Sequence, residues 1–176
     1  MKKSSILTMP EYFDKYINLT EDVTHLEALD NSLKELQVIP LDQWKSLGDM
    51  AYAPGKWTLK DILLHCIDTE RVFIYRAMSF ARGDQQKVLT FNEDEYAKNA
   101  GANTRTFEDL IEEAVVVRKG SIAFYASLSN EQLQKSGAGM NGLSYSVLAL
   151  AFMIAGHQHW HFKVIQERYL SLLGNY

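Results

Sequence analysis

The stretch TLKDILLHCIDTERVFIYRAMSFARG, Thr58 to Gly83, decides the fold. Thr58 with Asp61 three residues on is a helix-start signature, because a hydroxyl there accepts from a backbone N–H that has no partner inside the helix. From Leu59 to Arg82 neither Gly nor Pro interrupts the run, and Gly83 supplies the stop. Ile62, His65, Thr69, Val72 and Arg76 recur at helical spacing, so the face set for burial carries a histidine.

Three further helices are expected around this one. Glu21 to Gln37 offers Val23, Leu26, Leu33 and Leu36 as a buried stripe, preceded by a short helix from Glu11 to Asn18 behind Pro10. Thr104 or Thr106 caps a helix running to about Leu128, with Leu110, Val117, Phe124 and Leu128 in register. After the breaker GAGMNG, Gly137 to Gly142, Ser144 opens a last helix that continues to about Leu173. The connections are long. Pro40 to Lys56 reads as an irregular crossing with one helical turn around Leu41 to Lys45, and acidic Glu93, Asp94 and Glu95 open a short helix ending near Gly101. With no alternating strand pattern, the expectation is an all-α four-helix bundle with long crossover connections and short accessory helices, in one domain over residues 1–176.

Composition narrows the function classes. Hydrophobic residues make up 47% and charged residues 23%, a globular balance. A net charge of -4 without a Lys/Arg cluster leaves no footprint for a nucleic-acid backbone. No apolar run could span a bilayer, and the stretch MKKSSILTMPEYFDKY lacks the features of a signal peptide, so a cytoplasmic protein is expected. Cys66 is the one cysteine and reads as a small buried apolar residue.

The chemistry lies with the histidines. His157 and His161 are four residues apart, which puts both rings on one helix face about 6 Å apart along the axis. That face continues through Val147, Leu150, Ala151, Ile154, Val164 and Arg168, so the pair points inward. Buried neutral imidazoles need partners for their ring nitrogens, and a divalent cation is one. A bundle can bring His65 against the pair and form a three-histidine site that leaves positions for water or substrate. His159 projects roughly 160 to 200 degrees away and is excluded, Cys66 turns about 100 degrees from His65, and His25 stands alone.

Three segments together resemble the DinB-like superfamily of four-helix metalloproteins, which takes in metal-dependent hydrolases and bacillithiol S-transferase-like proteins. They are YAPGKWTLKDILLHCIDTERVFIYRAMSFARGD at Tyr52 to Asp84, the turn at Asn141 and Gly142, and AFMIAGHQHWHFKVIQERYL at Ala151 to Leu170. The resemblance implies a divalent ion on His65, His157 and His161, the three residues that spacing selects independently. It also implies a low-molecular-weight thiol as co-substrate and a homodimer. The chain departs from the family pattern at Gln158, where an acidic residue is usual, and at Trp160, where a histidine is usual. Gln158 cannot serve as a general base.

The expected function is therefore that of a metal-dependent thiol S-transferase or hydrolase, in which the ion activates a thiol or water for attack on a small electrophile. The alternative is a non-catalytic bundle whose ion is structural or sensed. Imidazole suits zinc or nickel foremost, and iron or manganese as well. Asp68 and Glu70, one turn beyond His65, could orient a ligand or accept a proton, although surface charge is their plainer role. Arg76 and Arg168 fall near the histidine faces and could hold a substrate carboxylate or pair with local acids. Trp57, Trp160, Phe152 and Tyr145 suit either a pocket wall or the core.

Overall fold

The computed structural model describes the chain apart from residues 85, 87, 89, 140, 141 and 176. Eight α-helices are present among the described residues: α1 (Asp14–Ile17), α2 (His25–Gln37), α3 (Leu41–Leu47), α4 (Leu59–Ala81), α5 (Glu93–Asn99), α6 (Phe107–Ala126), α7 (Asn130–Gln134) and α8 (Val147–Val164). The long helices α2, α4, α6 and α8 make the bundle. Each of α4 and α2 packs on both α6 and α8, so α2 sits diagonally from α4 and α6 from α8, and those two crossovers must be long. No helix among the described residues is long and apolar enough to cross a membrane.

Local chemistry sets most of the boundaries. Thr24 and Thr58 each form a reciprocal capping box, with Glu27 and Asp61 respectively. Thr106 caps α6 on Asp109 N, and Ser146 caps α8 on Ala149 N. The first long helix thus begins at His25 rather than Glu21. The last begins at Val147 rather than Ser144, because Ser144–Ser146 forms a short antiparallel ladder with Ser136–Ala138. That ladder was not anticipated. It bridges most of the GAGMNG breaker, of which Met140 and Asn141, including the first residue of the expected Asn141–Gly142 turn, lie outside the described residues. Beyond Val164 the chain leaves α geometry, widening into a π-helical turn at Ile165–Tyr169 and a 3-10 helix at Leu170–Asn175.

The core divides into two apolar clusters stacked along the bundle axis. One gathers Phe73, Ala77 and Phe80 of α4 with Val147 through Ala155 of α8 and Ile17 of α1. The other gathers Leu59 through Ile67 of α4 with Phe107, Leu110 and Ala114 of α6, Trp44 of α3, and Ile165 and Tyr169. Between them lies a buried polar layer to which every long helix contributes. Its members are Ser32 of α2, His65, Thr69 and Glu70 of α4, Arg118 and Ser121 of α6, and His157 and Gln158 of α8. Such groups are costly inside an apolar core unless hydrogen-bonded or paired, so this layer is where function is to be sought.

Candidate metal centre

Helix α4 delivers His65 and helix α8 delivers His157 and His161 to one point. The Nε2 atoms of His65 and His161 each lie 3.1 Å from Nε2 of His157, and all three ligand atoms fall within 4.8 Å of one another. His65 and His157 are each 6% exposed, and His161 is half-buried. Burial pushes the pKa of His65 down to about 4 and that of His161 to about 3. His157 lies well below its ordinary 6.5, from burial first and then from the charges His161 and His65 would carry. All three rings are therefore neutral at physiological pH.

Neutrality makes the geometry diagnostic. The Nε2 of a neutral imidazole offers either one N–H or one lone pair, so His157 can make a good hydrogen bond with only one of its two neighbours. A cation accepting all three lone pairs satisfies every ring at once. Tetrahedral ligands about 2.0–2.1 Å from a shared ion stand roughly 3.3 Å apart, close to the 3.1 Å that separates His157 from each of its two neighbours. The three histidines form a cluster that could hold a metal ion.

The surroundings fix the rings. Trp57 packs over His65 with centroids 4.7 Å apart and lies nearly parallel to His161 at 6.4 Å. Tyr16 of α1 meets His157 edge-on at 5.2 Å, and Phe73 does so at 6.2 Å. Thr69 Oγ1 stands 3.5 Å from His65 Nδ1. Gly156 makes the approach of α1 possible, since a Cβ there would lie 2.0 Å from the carbonyl oxygen of Tyr16. Burial, with Tyr12 and Glu93 nearby, raises the Tyr16 phenol above its ordinary pKa, so it keeps its proton. Tyr12 holds its backbone at φ 67°, in the left-handed region that bulky residues avoid, and its ring lines a narrow cleft with Tyr16, Arg76, Glu93 and His157.

The other expected residues are scattered. Glu70 is not a surface charge: it is buried on the α6 side, with Arg118 Nε and Nη2 each donating at 2.9 Å and Ser121 Oγ at 2.6 Å. Asp68 sits near the surface against Arg71 at 3.4 Å. Arg76 is buried beside the Tyr145 hydroxyl at 3.3 Å and borders the cleft next to His157. Arg168 is exposed and lies in the π turn at Ile165–Tyr169, which departs from the residue periodicity of an unbroken α-helix. Gln158 points to α2, donating to Ser32 O at 2.7 Å and Glu35 Oε2 at 3.0 Å, so the departure from the family pattern lies outside the ring cluster. His159 meets Glu35 Oε1 at 2.8 Å, away from the site. His25 is buried against Met1, its Nδ1 3.2 Å from that carbonyl oxygen. Cys66 is half-buried, and burial pushes its thiol up to about 12. Phe152 and Tyr145 are core, whereas Trp57 and Trp160 border a cavity beside His161.

Comparison with known proteins agrees on the architecture. The model of the DinB superfamily matches residues 19–165. Among solved structures, YfiT from Bacillus subtilis, described as a probable metal-dependent hydrolase with an unusual four-helix bundle topology, superposes with a TM-score of 0.69 at 18% identity. The match covers 96% of this chain and 91% of that one. A mycothiol-dependent maleylpyruvate isomerase superposes with a TM-score of 0.59 at 11% identity, over 85% of this chain and 58% of that one. No curated protein matches by sequence.

Proposed function

The chain belongs to the DinB superfamily, and from that premise we propose that it is a metal-dependent enzyme that activates a low-molecular-weight thiol or water for attack on a small electrophile. One observation carries the reading: three neutral imidazoles converge their Nε2 atoms in the buried polar layer between the two apolar clusters. YfiT, described as a probable metal-dependent hydrolase, and the mycothiol-dependent isomerase share the fold and support it.

His65, His157 and His161 would hold the ion. A bound divalent cation with three neutral ligands keeps its full charge and supplies the Lewis acidity that lowers the pKa of a thiol or of water. Tyr16, protonated beside His157, can donate a hydrogen bond to a substrate oxygen. Trp57 and Phe73 limit the access of bulk water to the rings. Gln158 takes no proton and holds α8 to α2. Zinc or nickel suits the donor set best.

The test compares the parent with His161→Ala, both purified without a nickel column, for bound metal and for conjugation of thiols to electrophiles. The substitution should lower metal content at least tenfold and abolish activity while leaving the helical circular dichroism signal in place. Unchanged metal content would overturn the ligand assignment. Full metal with no turnover of any thiol or ester substrate would favour a structural ion.

A further inference from the structure

A cavity of about 330 Å³ opens beside His161, walled by Tyr52, Trp57, Trp160 and Tyr169. Resting on the metal-centre reading above, we propose that the electrophile is a planar aromatic molecule, held in this cavity with its ring along the face of Trp57.

The walls are fixed before any ligand arrives. Tyr169 is 1% exposed and its hydroxyl donates to the carbonyl oxygen of Trp57 at 2.5 Å. Tyr52 meets Tyr169 edge-on at 5.1 Å. Trp57 packs on His65 with ring centroids 4.7 Å apart, and its plane lies within 22° of that of His161. The indole therefore carries the cavity wall up to the imidazoles, and a flat ring lying along it would present its substituents to the ion site.

Size and polarity narrow the occupant. A space near the small end of ligand pockets accepts one or two fused rings and excludes a polymer. Ile62 and Val164 add apolar groups to a mixed lining, in which Lys56 and Asp94, opposite in sign, border the same space. The Tyr169 hydroxyl is already engaged and presents its ring, not a free donor, to the cavity. Rings at these walls can adopt the offset or edge-on arrangements that a saturated molecule of equal size cannot exploit.

The probes are 2-naphthalenemethanol and its fully saturated decahydro counterpart, which share a polar group and differ in the ring. Their binding to full-length protein is measured by tryptophan fluorescence and calorimetry, with metal loaded and after chelation. Trp44 is 2% exposed, does not line this cavity and provides a constant emission background. The aromatic alcohol should bind at least about threefold more tightly in both states. Trp57→Leu should abolish that preference, and Trp160→Leu should reduce it if the first variant fails to fold. Equal affinities, no binding of either alcohol, or an undiminished preference in the tryptophan variants would overturn the proposal. Because binding is read without metal, an absent metal would sink the preceding reading and leave this one standing or falling on its own data.

Discussion

His65 and Glu70 stand five residues apart on α4, each 6% exposed, and meet the cost of burial in opposite ways. Glu70 is completed from within: Arg118 closes on its carboxylate with two hydrogen bonds, Ser121 adds a third, and Ser32 accepts from the same guanidinium. On the other face of the helix His65 joins two more neutral rings, and among the described residues no hydrogen bond or ion pair ties any of them to a carboxylate. One cluster is closed by the chain's own residues. The other has the form of a socket, and the difference separates a polar group that serves the fold from polar groups that await a partner.

The strongest way to break this contrast is Arg118→Met. It leaves Glu70 buried without its countercharge and should cost about 3–5 kcal/mol, read from urea unfolding. A loss below about 1 kcal/mol would show that the pair is solvated and the contrast false. The second effect concerns the rings and acid. In metal-free protein the folded pKa values of His65 and His161, about 4 and about 3, lie below the unfolded value of 6.5, so the unfolded chain takes up protons first. Stability should be full above about pH 6.5 and fall steadily as the pH drops towards 4, by up to roughly 1 kcal/mol per ring per pH unit. Chemical denaturation at stepped pH checks it. A flat profile would mean that the rings are wetter than the structure shows. The smallest effect sharpens the contrast on the closed side. Ser121→Ala removes one hydrogen bond to a charged acceptor and should cost about 1.5–3 kcal/mol without altering metal content, measured by thermal melting beside elemental analysis.

What the sequence disclosed depended on how local the cause was. Thr58, Asp61 and Gly83 delimit α4 through contacts within a few residues, and the four-residue spacing of His157 and His161 needs only helix geometry. His65 could be joined to them because a bundle offers few ways to pair two apolar faces. The Glu70–Arg118 bond spans 48 residues of chain, and nothing near Glu70 distinguishes it from a surface acid. Arg168 falls on the histidine face only if an α period runs through Ile165–Tyr169, which is π-helical, and the residue there is exposed. The ladder at Ser144–Ser146 has its partner eight residues upstream across a breaker, so cross-strand pairing outweighed helix initiation. Trp57 owes its place to a hydroxyl 112 residues away, which no local pattern records.

Gly156 has a bearing on how such a site could be remodelled. The missing methyl group lets the backbone of α1 rest directly on α8, one residue before the first histidine of the pair. Tyr16 hangs over the imidazoles from that seat, so the height of the ceiling above the chemistry is set by the narrowest residue in the floor. Anyone wishing to admit bulkier molecules would do well to begin at this seam and leave the ring-bearing positions untouched.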